Sequence, residues 1–66
     1  MQVLVNGFQE TITADQTLAD LIDRFGENDP ALIVELNGRF VYPDKYDSTK
    51  VREGDKVEFI HAAFGG

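Results

Sequence analysis

The sequence predicts an α+β domain in which a mixed sheet of four to five strands wraps over one main helix. Three observations carry this. Two Asn-Gly pairs, Asn6-Gly7 and Asn37-Gly38, each stand between strand-like runs. One apolar stripe at helical spacing follows a capping signal. The last regular stretch, Lys56 to His61, alternates apolar and polar residues. The predicted order is ββ, α, ββ, β, and periodicity leaves open whether the crossover from the second strand to the third is parallel or antiparallel.

The first hairpin pairs Gln2 to Val5 with Phe8 to Ile12. Asn-Gly tolerates the positive φ values of a type I′ turn, whose twist matches that of the strands. Met1, Val3 and Val5 share one face, and Phe8 and Ile12 share a face of the second strand that Glu10 interrupts. In Thr17-Leu18-Ala19-Asp20 the threonine is placed to cap a helix and the aspartate to close the box at N3. Leu18, Leu21, Ile22 and Phe25 then fall at i, i+3, i+4 and i+7. Gly26 occupies the position of a C′ stop, so the predicted helix runs from Leu18 to Phe25. A helix this short is stable only when its stripe packs on something.

Asn28, Asp29 and Pro30 predict a turn, and Ala31 to Leu36 a strand of buried type. The second Asn-Gly pair returns the chain through Arg39, Phe40 and Val41 until Pro43 ends the strand. Asp44 to Lys50 is polar and reads as a loop with one turn of helix. Glu53-Gly54-Asp55 is a turn before the final strand, whose Val57 and Phe59 face one way and Glu58 and Ile60 the other.

The chain has 66 residues and no cysteine. This length allows one small core, with roughly 60% of the unfolded surface buried, and no cleft between two lobes. The absent cysteines exclude a disulfide framework, a cysteine zinc site and a thiol nucleophile. Twelve acidic residues against six basic ones give a formal net charge of -6. That argues against nucleic acid, which needs a basic face, and against docking on anionic membrane. It permits a basic protein partner. No signal peptide or span of roughly 20 apolar residues is visible, so a cytoplasmic location is expected. Residues 1–61 read as a single domain and 62–66 as a flexible tail.

That tail, Ala62-Ala63-Phe64-Gly65-Gly66, is where the chemistry points. At ordinary glycine usage a terminal glycine pair is expected in about 0.5% of chains. Gly65 gives flexibility and lets a carboxylate pass a narrow channel, since no Cβ blocks it. The Gly66 carboxylate is ionised at neutral pH and is a poor electrophile until ATP converts it to an acyl-adenylate. The plain alternative is a frayed terminus.

Taken in order and spacing, these segments resemble a known family. The opening Met1-Gln2-Val3-Leu4-Val5-Asn6-Gly7, the helix start Thr17-Leu18-Ala19-Asp20-Leu21-Ile22, Val34-Glu35-Leu36-Asn37-Gly38, Val41-Tyr42-Pro43, Val51 to Phe59 and Gly65-Gly66 are similar to the ThiS-like sulfur carriers of thiamine biosynthesis. These belong, with MoaD, to the ubiquitin-like β-grasp superfamily. The chain departs from the pattern by placing Tyr42 before Pro43 and Phe64 where many members carry a third glycine. The resemblance implies a carrier and not an enzyme, with no bound cofactor. A ThiF-like adenylating enzyme would use ATP to activate Gly66. Sulfur relayed from a cysteine desulfurase would yield a thiocarboxylate, and a ThiG-like thiazole synthase would receive it. The small subunit of molybdopterin synthase, which usually runs longer, and a protein modifier or plain binding module stand as alternatives.

Ile60, with Leu4 and Ile33 by period two, is expected on an open sheet face suited to partner docking. Phe64 and Ala62 extend that surface into the tail. His61 has no Ser, Cys or Asp partner in sequence that would make a triad, and it reads as a strand-end residue. Glu53 and Asp55 flank Gly54, and a turn explains them more simply than a metal.

Overall fold

The computed structural model of the chain describes residues 1–25 and 29–61. The expected C′ stop at Gly26, Asn28 of the expected turn, and the tail 62–66 lie outside the described residues. Five strands form one sheet: β1 (Gln2–Val5), β2 (Phe8–Thr11), β3 (Leu32–Leu36), β4 (Arg39–Val41) and β5 (Lys56–His61). Helix α1 (Leu18–Arg24) follows β2, and a 3₁₀ turn (Pro43–Lys45) follows β4. The spatial order is β2-β1-β5-β3-β4.

The crossover that periodicity left open resolves through the last strand. β5 enters the middle of the sheet, parallel to β1 and antiparallel to β3. β2 and β3 therefore run in the same direction but are separated by two strands. Both Asn-Gly pairs form the hairpin turns expected of them, with positive φ at both residues of each pair.

One face of the sheet holds the core. Val3, Val5, Val34, Val57 and Phe59 point to it and meet Leu18 and Leu21 of α1, with Ile12 and Val51 closing the sides. Leu18, Leu21, Val34 and Val57 are fully buried. Ile22 and Phe25 complete the expected stripe as half-buried residues packed against this cluster. Among the described residues no polar or charged residue is buried.

The helix has only seven residues, so its ends matter as much as its stripe. Asp20 N–H donates to Thr17 Oγ1 at 3.2 Å, and Thr17 N–H donates to Asp20 Oδ2 at 2.9 Å. This is the capping box read from the sequence. Two more N–H groups of the first turn find carbonyls in the loop after the 3₁₀ turn, Leu18 to Thr49 at 2.9 Å and Ala19 to Tyr46 at 3.1 Å. The polar stretch 44–50 is thus the surface that satisfies the helix start. Phe25 stands at the C-cap, one residue beyond the last helical residue.

One expectation needs correction. The strand expected at Ala31 to Leu36 begins at Leu32 and is not buried on both faces. Only Val34 is fully buried, packed in the core cluster with Leu18 and Leu21, as expected for an antiparallel strand with one face on the core. Phe8 and Ile12 share the core-side face as expected: Phe8 stands opposite the inward Val5, although it is 72% exposed while Ile12 is 2% exposed.

Replacing Thr17 with alanine removes one half of the box. We expect a loss of about 1 kcal/mol, a fall in Tm of roughly 4–8 °C for a domain of this size. Thermal denaturation followed by circular dichroism measures it; an unchanged Tm would mean that the loop carbonyls alone hold the helix start.

Candidate functional site

The site begins where β5 ends. This strand runs between β1 and β3, carries Val57 and Phe59 into the core, and stops at His61. Gly65 and Gly66, with Phe64 and Ala62, lie outside the described residues. The structure thus fixes the base from which the tail departs.

His61 is held at that base. Its Nδ1 lies 3.1 Å from Asp29 Oδ2. The other carboxylate oxygen of Asp29 accepts the Ala31 N–H at 2.9 Å, and the Asp29 carbonyl accepts the Leu32 N–H at 3.0 Å. Asp29 therefore joins the start of β3 to the end of β5. The Ala31 amide, and then the His61 ring, hold its carboxyl below the ordinary 3.8. The ring sits in a structural pair, in keeping with the strand-end reading of His61.

The outer face of the sheet is the second part of the site. Cross-strand register defines its rows. Ile60 stands opposite Ile33, and Glu58 opposite Glu35, which in turn stands opposite Phe40. Carrying the β3–β4 register one residue beyond Val34 and Val41 sets Tyr42 beside Ile33. Phe40 and Tyr42 touch edge to face, with ring centroids 4.7 Å apart. Ile60 is 37% exposed, Phe40 49% and Tyr42 65%. An apolar strip thus crosses β5, β3 and β4 at the end of the sheet from which the tail leaves.

Ile60 and Ile33 are brought together as expected. Leu4 is on the same face but in another row, opposite Lys56. That row is four residues down β5 from Ile60, about 13 Å away. Phe40 and Tyr42 were missed as members of this face, although they flank the inward-facing Val41 and alternation alone assigns them to it. Glu58 and Glu35 stand directly opposite on this face, a like-charge pairing of the kind that disfavours a sheet.

Glu53 and Asp55 serve the turn. The Glu53 carboxylate accepts the Gln2 N–H through both oxygens, at 3.1 and 3.2 Å. Asp55 Oδ2 accepts the Arg52 N–H at 2.7 Å. Gly54 between them has φ 83°, which only glycine adopts readily. Among the described residues no group of three or more His, Asp or Glu side chains is placed to hold a metal, and no helix is long and apolar enough to cross a membrane. A wide hollow lined by Gln2, Val3, Leu4, Gln9, Glu53 and Gly54 lies at the end of the sheet away from His61.

A mixed five-stranded sheet over one helix, with the central strand leading to the tail, defines a ubiquitin-like β-grasp protein. The comparisons narrow this. The ThiS family model matches residues 3–66. A crystal structure of the thiamine biosynthesis protein ThiS from Geobacter metallireducens is 30% identical, covers all of both chains and superposes with a TM-score of 0.88. A solution structure of a thiamine biosynthesis protein from the same organism is 31% identical over all of this chain and 88% of that one, with a TM-score of 0.79. A thiazole synthase of Paramagnetospirillum magneticum is 29% identical over 66 residues, and the chain spans 20% of that protein's length. The chain belongs to the ThiS family, the sulfur carriers that its sequence resembles.

The Asp29 pair has a testable pH dependence. Its folded-state pKa is the lower one, so the stability it contributes is present above the ordinary carboxylate range and is lost as pH falls through the folded value. The Tm difference between wild type and Asp29→Ala should be full at about pH 6 and shrink towards zero by about pH 2. A pH-independent difference would locate the effect in the loop backbone instead.

Proposed function

We propose that this chain carries sulfur for thiazole formation in thiamine biosynthesis, with the Gly66 carboxylate as the carrying group. The observation that bears most weight is the family match, which runs through the whole domain to residue 66 and so includes the glycine pair. A ThiF-like adenylating enzyme forms an acyl-adenylate from Gly66 and ATP, releasing pyrophosphate. The terminal sulfur of a persulfide from a cysteine desulfurase relay displaces AMP, and a thiol reductant cleaves the resulting acyl disulfide, leaving the thiocarboxylate on Gly66. The carrier itself binds no cofactor; ATP is consumed at the partner.

Thiazole synthase is the proposed acceptor. A protein named thiazole synthase, a fifth of whose length this chain matches at 29% identity, supports the pairing. Ile60 and Ile33, extended by Phe40 and Tyr42, supply the docking strip beside the tail. Glu58 and Glu35 next to it, with the net charge of -6, favour a partner whose apolar contact is rimmed by basic residues. Leu4 belongs to the far edge of this surface. Phe64 and Ala62 would follow Gly65 and Gly66 into the partner. Docking as the small subunit of molybdopterin synthase, or isopeptide conjugation as a modifier, would use the same tail.

Intact-protein mass spectrometry after incubation with ATP, a sulfur source and the adenylating enzyme tests the reading. We expect a gain equal to one oxygen replaced by sulfur, mapped to Gly66. Deleting Gly66 should leave the fold intact and abolish the gain, whereas uptake by the truncated chain would refute the role. Conjugate ladders on a denaturing gel would instead indicate a modifier. Ile60→Ala should raise the carrier's KM with the adenylating enzyme roughly tenfold, the effect of losing about 1.5 kcal/mol of apolar burial.

A further inference from the structure

Both Asn-Gly pairs do more than turn the chain. β1 pairs with β5 in parallel register, and its last rung is the Asn6 N–H donating to the Val57 carbonyl at 2.9 Å. A continued β1 would offer its next main-chain carbonyl to Phe59. The chain turns away there, with Asn6 at φ 51°. The Asn6 side chain takes over: its Oδ1 accepts the Phe59 N–H at 2.7 Å. The same device recurs at the other end and on the other edge of β5. Asn37, at φ 53°, donates its N–H to the Lys56 carbonyl at 2.7 Å. Its Oδ1 accepts the Lys56 N–H at 2.9 Å, while its Nδ2 donates to Asp55 Oδ1 at 3.0 Å. Each asparagine extends the ladder by one rung beyond the point where its own strand leaves the sheet.

The two clamps differ in what they hold. Asn37 fixes the start of β5, next to the Arg52–Asp55 turn. Asn6 fixes the edge two residues before His61, where β3 is the remaining strand neighbour. Five residues follow His61, with a fully extended reach of at most about 18 Å. The direction of β5 at His61 sets where this tail leaves the domain, and a misplacement of about 1 Å is enough to slow chemistry strongly.

We propose that Asn6 is a positioning residue for the tail: through its side-chain oxygen it aims the end of β5 so that Gly66 reaches the partner's active site. The proposal rests on the carrier reading above. Docking through the outer strip sets KM, whereas the aim of the strand end sets how often a docked carrier is productive. The effect therefore falls on kcat.

Three variants test this. Asn6→Gly keeps the left-handed backbone and removes the acceptor. Asn6→Asp keeps both. Asn37→Gly removes the clamp at the far end. For each we would measure Tm, amide exchange at Phe59, and kcat and KM for thiocarboxylate formation with the adenylating enzyme. Asn6→Gly should speed Phe59 exchange and lower kcat, both roughly fivefold, the factor for one net hydrogen bond of about 1 kcal/mol, with KM little changed. Asn6→Asp should restore both. Asn37→Gly should lower Tm and leave kcat at the wild-type value. A wild-type kcat in Asn6→Gly, no rescue by Asn6→Asp, or an equal kcat loss in Asn37→Gly would each overturn the proposal. Wild-type protein that takes up no sulfur would overturn the carrier reading and the positioning role with it. Phe59 exchange would still report whether the clamp forms.

Discussion

The structure depends on the last strand reaching the middle of the sheet. β1 and β2 form one hairpin, β3 and β4 another, and neither contacts the other as a strand pair. β5 joins them, parallel to β1 on one edge and antiparallel to β3 on the other. Its Val57 and Phe59 supply the centre of the core beneath α1. Until β5 docks, each hairpin has a helix-facing apolar side and an open edge, and isolated hairpins are marginal in water. The segment that leads to the tail is therefore also the one that closes the fold.

This placement separates two tasks by strand alternation. Inward residues of β5 hold the domain together, while Glu58 and Ile60 between them face outward. Period two thus leaves the outer face free of structural duty without extra elements. The same economy explains the long loop after β4. Its carbonyls at Tyr46 and Thr49 receive helix N–H groups, and the Val51 N–H donates to the Gln16 carbonyl at 2.9 Å. A seven-residue helix and a loop with only one 3₁₀ turn each supply hydrogen bonds that the other lacks.

Much of the fold was legible in the sequence because its signals are local. Thr17 and Asp20 announce the helix within one turn, and Asn6-Gly7 and Asn37-Gly38 announce turns within two residues. Strand order is not local, and nothing in the period of Lys56 to His61 says that it inserts between β1 and β3. The outer face was half legible. Alternation assigned Ile60 and Ile33, and register grouped them, whereas Leu4 fell into another row for which only β1–β5 pairing gives the position. Phe40 and Tyr42 were read as a strand end before Pro43, since their exposure follows from β4 being an edge with no layer above it. The second role of Asn6 and Asn37 was hidden for the same reason: an asparagine that favours a turn looks the same whether or not its side chain reaches a distant strand.

The outer face also carries its own argument about partners. Glu35 and Glu58 stand directly opposite each other across β3 and β5. Like charges in such a pair oppose folding, and a small domain has little stability to lose. Lys56, on the same face of β5, stands opposite Leu4 and not opposite either carboxylate. Folding alone gives no reason for this choice, as one lysine or glutamine in either position would remove the repulsion. Association does give one. A basic side chain of a partner, arriving beside the strip of Ile60, Ile33, Phe40 and Tyr42, would meet two carboxylates at once and relieve their repulsion on contact. On the proposed carrier reading, apolar contact would supply affinity and the acidic pair would favour a partner with a basic rim.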